Sequence, residues 1–221
     1  MRTIKLPYTT EDPTFNQCLL DLQRVQSSIY HVAYKRAAEG LAEIEIRTTC
    51  RNLFPQVDSW IIQSAIKKGV GQFKADWELA KSKGIEFIGN RIFGGKKNFF
   101  RRLKGLITRE EWKECRLEDL YIIGESPQTG NRKFNFNADS ITFKPKLGTK
   151  FELQLPKLHG FYSTDYANLV VATTNNLMPI TVSLNSTHIF LSYEETKLEI
   201  HKPKKIISGR YLGIDLNPNY I

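Results

Sequence analysis

The chain has 221 residues, 41% of them hydrophobic and 25% charged, which is typical of a globular protein with an ample core. Its net charge of +9 and pI near 9.4 favour an anionic partner, nucleic acid first and an anionic membrane surface second. No apolar run reaches the ~18 residues of a membrane span, and no signal peptide is recognisable, so we expect a cytoplasmic protein. The cysteines and histidines lack metal-ligand spacing, so we expect no zinc site.

The first 80 residues are predicted to be mainly helical after one short strand at 3–8. Asp12 is the predicted N-cap of a long amphipathic helix that starts at residue 13 and runs to about residue 39. A second helix is predicted over 42–53, and a third starts at 58 or 59 and continues past two glycines to about residue 80. The lysines on these helices are equally consistent with an ordinary solvated face.

The segment 91–116 concentrates the basic charge. It holds nine Lys and Arg against three Glu, a net charge of +6, with phenylalanines and a tryptophan interleaved. Phosphates favour paired cations and free backbone N–H groups, such as Gly94-Gly95 would offer, and unstacked bases favour aromatic or guanidinium planes. We therefore predict a nucleic-acid surface, with phosphate contacts and with Phe99 or Phe100 stacking on bases. The predicted phosphate-contacting residues are Lys96, Lys97, Arg101, Arg102 and Lys104.

The same segment has a plainer interpretation, a basic surface helix whose aromatic residues face the core. Thr108 and Glu111 have the spacing of a capping box, so a helix is predicted to begin there. A capping box indicates local structure only. It does not distinguish a nucleic-acid surface from a solvated one.

From about residue 121 the apolar residues alternate with period two, in short runs separated by turn-forming Gly, Asn and Ser. A continuous apolar run at 169–171 predicts one more buried strand. About seven short strands favour a small antiparallel barrel or sandwich. Its basic residues at strand ends either face nucleic acid or cover a solvated surface, and Arg132 and Lys133 are our further nucleic-acid candidates. The alternating runs are Phe134/Phe136, Ile141/Phe143, Phe151/Leu153/Leu155, Ile180/Val182/Leu184, Ile189/Leu191/Tyr193 and Leu198/Ile200.

The last stretch, 211–215, is a β-prone run that ends on one carboxylate, Asp215, before an Asn-Pro-Asn turn. Such a strand commonly places a metal-binding carboxylate at the edge of a sheet. Two alternatives stay open: a structural aspartate that caps the strand end, and the Gly-Ile-Asp start of an actin-like ATPase. The ATPase motif usually stands near an N-terminus before a glycine-rich turn, whereas Asn217 occupies that glycine's position here.

These motifs follow one another in a fixed order: Phe93-Gly94-Gly95-Lys96-Lys97, Arg101, Lys104-Gly105, Glu111-Trp112, Arg116, Gly124-Glu125, Gly130-Asn131-Arg132-Lys133-Phe134 and Tyr211-Leu212-Gly213-Ile214-Asp215. In that order they resemble the N-terminal half of the TnpB transposon-encoded proteins and the related type V CRISPR effectors. The resemblance implies an α+β fold with four parts. These are the first strand of a wedge β-barrel (1–8), a helical recognition lobe (9–120), the wedge-like antiparallel β-barrel (121–208) and the first strand of an RNase H-like RuvC nuclease (209–221).

Proteins of that family are RNA-guided DNA endonucleases that hold two Mg²⁺ ions with three carboxylates. The resemblance matches Asp215 to the first of these, as a catalytic and metal-binding residue. The remaining catalytic acids and zinc-binding cysteine pairs of the family do not occur within these 221 residues. We therefore expect the nucleic-acid-binding N-terminal portion of such a nuclease, which binds guide RNA and target DNA but does not cleave, or alternatively a stand-alone RNA- and DNA-binding regulator. An actin-like ATPase fragment is the third hypothesis.

Overall fold

The computed structural model describes residues 1–87, 89–146 and 148–194. They form a mixed fold of helices and antiparallel sheets, which confirms the α+β class predicted from the sequence. The elements in chain order are β1 (Arg2–Pro7), α1 (Phe15–Ala38), α2 (Glu43–Leu53), α3 (Ser59–Ser82), α4 (Lys96–Leu103), α5 (Arg109–Glu114), β2 (Leu120–Ile122), a 3-10 turn (Ser126–Gln128), β3 (Phe134–Phe136), β4 (Ser140–Phe143), β5 (Phe151–Gln154), α6 (Phe161–Thr174), β6 (Thr181–Leu184) and β7 (His188–Tyr193).

The three long helices match their sequence patterns. α2 and α3 begin and end within two residues of the predicted positions, and the Asp58 carboxylate caps α3 by accepting from the backbone N–H of Trp60 at 2.9 Å. α1 begins at Phe15, two residues later than predicted. The Asp12 carboxylate accepts hydrogen bonds from the N–H and hydroxyl of Thr14, so it shapes the turn before the helix rather than its first turn.

α1 and α3 cross closely and form one of the two hydrophobic clusters. Its buried residues recur every three or four positions on both helices, including Ile29 and Ala33 of α1 and Ile62 and Ile66 of α3. Gly69 of α3 lies at the crossing, where an added Cβ would stand 2.8 Å from the carbonyl oxygen of Tyr30. The helices therefore approach more closely than any side chain at position 69 would allow.

The strands form two antiparallel sheets. The first has the order β1-β7-β6-β2, so the first strand of the chain pairs with the last described one, with Ile4 opposite Leu191 and Leu6 opposite Ile189. The second has the order β3-β4-β5. Alternate residues of both sheets point into one shared core that also includes Phe15 of α1.

A single bridge between Thr9 and Gln154 links the end of β1 to β5. Among the described strands no hydrogen-bonded closure into a barrel is present, so the architecture seen is a four-stranded and a three-stranded sheet around a common core. Asn131 provides a second junction between the two sheets. This residue lies just before β3, and its buried side-chain amide donates to the carbonyl oxygen of Ile180, just before β6.

The apolar run at 169–171 was the one clear error in secondary structure, because it lies in α6 rather than in a strand. Leu169 is buried but Val171 is 43% exposed, as expected for neighbours on a helix that packs with one face. A short apolar run fits a buried strand and a buried helix equally well by periodicity. The neighbouring Tyr166 and Ala172 are buried at the same helical spacing, and they extend the pattern beyond strand length.

The predicted strand at 198–200 and the Asp215 motif lie outside the described residues. In the part of the chain that the structure describes, no helix is both long and apolar enough to cross a membrane. The predicted turn at Asn175-Asn176 is present after α6, and the φ of 54° at Asn176 is the left-handed value that asparagine tolerates.

Candidate nucleic-acid interface

α4, α5 and the residues between them form a helical hairpin, here called the basic hairpin and defined as residues 94–115. Its two ends meet at Gly94, where φ is 82° and an added Cβ would lie 2.9 Å from the carbonyl oxygen of Cys115. Gly94 therefore closes the hairpin rather than offering its backbone to a phosphate. Gly95, with open space around it, is the N-cap of α4. The predicted capping box is confirmed: the Thr108 hydroxyl accepts from the N–H of Glu111 at 3.1 Å, and the Glu111 carboxylate accepts from the N–H of Thr108 at 2.6 Å.

The base of the hairpin is fixed to α1 through His31. The ring of Phe93 lies 3.9 Å from the imidazole, measured between centroids, and also makes edge contacts with Tyr30 and Tyr34. On the other side, Nη2 of Arg116 donates to Nδ1 of His31 over 3.0 Å. The residues that flank the hairpin thus hold one imidazole between an aromatic face and a guanidinium. Phe93 and Arg116, which the sequence grouped with the nucleic-acid candidates, serve the fold.

Burial, with the nearby positive charge of Arg116, lowers the pKa of His31 from 6.5 to about 4. Between pH 6.5 and about 4 the imidazole of His31 binds a proton in the unfolded chain but not in the folded one. The free energy of unfolding that depends on His31 is therefore fully present above about pH 6.5 and is lost as the pH falls towards 4. We expect wild type to lose roughly 2 kcal/mol more than His31→Phe over that window, after allowance for partial solvent screening. Urea unfolding of both proteins across the window measures this difference. Parallel stability curves would contradict it.

The outer face of α4 carries the site that the sequence predicted. At about 100° per residue, Lys96, Lys97, Phe100, Arg101 and Lys104 fall within an arc of about 140° around the helix. All five side chains are exposed, and the Phe100 ring, 55% exposed, lies within the arc between Lys96 and Lys104. No ion pair is formed by any of these cations with an acid of the described residues.

The inner face of α4 holds the remaining two predicted residues. Phe99 is half-buried and its ring packs 6.0 Å from that of Trp112 on α5, which joins the two helices of the hairpin. Arg102 is also half-buried, and its guanidinium donates to the carbonyl oxygen of Ile107 at 3.3 Å. Of the two phenylalanines that the sequence left open, Phe100 is therefore the one available to stack on a base.

Arg91, also in the basic segment, is neutralised by an ion pair within the fold. Arg91 forms two hydrogen bonds with the carboxylate of Asp76, at 2.8 and 3.0 Å. Burial by itself would raise the pKa of Asp76, but hydrogen bonds from Arg91, Gln72 and Tyr34 together lower it below its ordinary value. Asp76 thus remains an anion that fixes Arg91, and this arginine adds little to the exposed positive charge.

The two candidates in the β half differ from each other. The Lys133 ammonium is 2.6 Å from the Asp58 carboxylate, and its side chain is only 11% exposed, so this lysine ties β3 to the start of α3. Arg132 is exposed, pairs with Glu125, and places its guanidinium 4.4 Å above the ring of Trp60. Only Arg132 keeps an accessible positive charge.

A cleft of about 620 Å³ lies beside the hairpin, between α1 and α5. Its walls carry both signs of charge: Arg24 pairs with Glu114 at 2.9 Å, and Arg116 is engaged by His31. Lys113 and Glu110 add one charge of each sign, so three cations and two carboxylates line the cleft and leave a net charge of only +1. The outer face of α4, by contrast, carries four cations and no carboxylate.

No group of three or more His, Cys, Asp or Glu side chains in the described residues is arranged to hold a metal ion. The predicted metal ligand, Asp215, lies outside those residues. No protein-family model matches the chain, and no curated protein matches it in sequence. The function proposed below therefore rests on the geometry of the chain and on its motifs.

Proposed function

We propose that this chain is a nucleic-acid-binding protein whose principal contact surface is the outer face of α4. The observation that carries the proposal is the exposed Phe100 ring set among four cations that form no ion pair with the acids of the described residues. Cations spaced along one helix face suit the regularly spaced phosphates of a polynucleotide, and an exposed ring among them suits an unstacked base. Because duplex bases are already stacked, single-stranded RNA or DNA is the ligand class that uses both features.

At the family level, we propose that the chain is the guide-RNA- and target-DNA-binding portion of a TnpB-like RNA-guided nuclease. The order of its motifs supports this, together with a first strand that pairs with the strand beginning at His188 after intervening helices. In a complete nuclease Asp215 would bind Mg²⁺ with further carboxylates. Closure of the sheets into a wedge-like barrel belongs to the same proposal. A regulator that binds RNA without cleavage would use the same surface.

The surface is tested by the triple variant Lys96→Ala/Arg101→Ala/Lys104→Ala. We expect its affinity for a single-stranded RNA of about 20 nucleotides to fall at least about tenfold, because three phosphate contacts are lost. The slope of log K against log salt should become shallower by about 2, at about 0.7 per phosphate contact. Fluorescence anisotropy at several salt concentrations measures both quantities.

The matched control is Lys35→Ala/Lys83→Ala/Lys157→Ala, which removes the same charge from exposed lysines off α4. If the control weakens binding equally, only net charge attracts the RNA and the proposed surface is wrong. Phe100→Ala should weaken binding by about 1–3 kcal/mol while leaving the salt slope unchanged, since stacking releases no counterions. The family proposal has its own test in the RNA that co-purifies from the native host. One discrete structured RNA supports it, and a heterogeneous mixture contradicts it.

A further inference from the structure

A second cationic site lies away from the basic hairpin, in a pocket of about 450 Å³ between α2, α3 and the residues around Gly124. Two helices line it with long polar side chains at helical spacing. Arg47 and Arg51 are four residues apart on α2, and Gln63 and Lys67 are four residues apart on α3, so each pair shares one face of its helix. Its volume lies within the roughly 300–1,000 Å³ typical of small-molecule sites.

The third wall of the pocket is Arg132 stacked on Trp60. The indole is fixed because its Nε1–H donates to the carbonyl oxygen of Ile123 at 3.2 Å. The guanidinium lies 4.4 Å above the ring and is oriented by Glu125, which accepts one of its hydrogen bonds at 3.1 Å. A guanidinium that is stacked on a ring and hydrogen-bonded at its edge is preorganised, so less side-chain entropy is lost when it binds an anion.

The charges of the pocket are unbalanced. Four cations line it and no carboxylate does. Glu125 compensates Arg132, whereas Glu43 reaches Arg47 only at 3.7 Å. Within the described residues, Arg51 and Lys67 form no ion pair, and the buried Nε of Arg47 has no hydrogen-bond partner. The pocket therefore has unused donors as well as unused positive charge.

We propose that this pocket is a binding site for a phosphate group, carried either by a small phosphorylated molecule or by a polynucleotide. Three guanidinium groups, one ammonium and the side chains of Ser59 and Gln63 provide charge-assisted and neutral donors that converge on one volume. Arg132 covers one face of the Trp60 ring, and Trp60 also packs against the hydrophobic core, so the site recognises the phosphate rather than a base. The inference goes beyond the proposed function of α4 and does not depend on it.

The first test is titration of inorganic phosphate into ¹⁵N-labelled protein, with chloride added to a reference sample at equal ionic strength. We expect the indole N–H signal of Trp60 to shift while that of Trp77, which lines no part of the pocket, stays in place. In Arg51→Ala/Lys67→Ala, two exposed positions, the phosphate affinity should fall at least about tenfold. It should be unchanged in the charge-matched control Lys35→Ala/Lys83→Ala. No shift at Trp60, or equal losses in both variants, would overturn the proposal.

The second test separates the two sources of the phosphate. Single-stranded RNA is titrated into wild type, into Arg51→Ala/Lys67→Ala and into the α4 triple variant. If both variants lose RNA affinity, the pocket binds a phosphate of the polynucleotide. If only the α4 variant loses RNA affinity, the pocket binds a small phosphorylated ligand instead. If α4 does not bind RNA at all, the phosphate titration still stands as an independent measurement, so failure of one proposal is distinguishable from failure of the other.

Discussion

Replacing Gly69 by alanine is expected to lower the free energy of unfolding by about 2–3 kcal/mol, the usual cost of overpacking a tight interface. The added Cβ would stand 2.8 Å from the carbonyl oxygen of Tyr30 and 2.9 Å from the Cβ of Ala33, both on α1. A backbone carbonyl cannot move without its helix, so α1 and α3 must separate and the contacts around the crossing weaken. Urea denaturation followed by circular dichroism measures the change.

The control is Gly71→Ala, two residues further along the same helix. An added Cβ there meets nothing within 4 Å, so only helix propensity changes, and the variant should gain up to about 1 kcal/mol. Opposite signs at Gly69 and Gly71 would demonstrate that the close crossing sets the requirement for glycine. A stabilised Gly69→Ala would show that α1 and α3 do not approach as the structure describes.

Asn131 is expected to be the most sensitive polar residue of the β half. Its side chain is buried, with 1% exposure. The Nδ2 group donates to the carbonyl oxygens of Ile180 at 2.9 Å and Ile123 at 3.3 Å, while Oδ1 accepts from the N–H of Lys133 at 2.9 Å. One amide thus satisfies backbone groups of the residue before β6, the residue after β2 and the residue before β3. It joins the two sheets.

Asn131→Ala should therefore cost about 3 kcal/mol, because the Ile180 carbonyl oxygen and the Lys133 N–H lose this partner at roughly 1–3 kcal/mol each, while Ile123 keeps its bond from Trp60. Asn131→Asp keeps the acceptor for Lys133 but turns an oxygen towards the carbonyl oxygens, so it should cost at least as much. Both are measured by urea denaturation. The control is Asn137→Ala, an exposed asparagine just after β3, which should change stability by less than about 0.5 kcal/mol. Similar losses of stability in Asn131→Ala and Asn137→Ala would contradict the role of Asn131 as the junction between the two sheets.

The two cationic surfaces differ in how their cations are held. On α4 four cations are exposed and form no ion pair with a described acid, which suits contacts with a flexible polynucleotide. In the α2–α3 pocket, Arg132 is fixed between Trp60 and Glu125. A preorganised guanidinium favours one compact anion, and this difference is the physical reason for assigning the two surfaces to different roles.

Local pattern was sufficient for the helices. The 3.6-residue period of α1 to α3, the Asp58 cap and the Thr108/Glu111 capping box all depend on neighbours within a few residues, so the sequence alone determined them. The local pattern failed at 169–171, since three apolar residues can be buried equally well in a strand or on one side of a helix. Only packing against β3 and its neighbours selects between the two.

For the candidate site, the sequence determined which residue types are present and where the positive charge is concentrated. It could not determine which cations are held within the fold, because their partners lie far away in the chain. Lys133 and Arg91 form ion pairs with Asp58 and Asp76, and Arg116 donates a hydrogen bond to the neutral imidazole of His31. The choice of Phe100 over Phe99 likewise required the contact of Phe99 with Trp112. The α2–α3 pocket was missed for the same reason. Its i, i+4 pairs are visible in the sequence, but only tertiary packing turns them towards one another and brings Arg132 and Trp60 beside them.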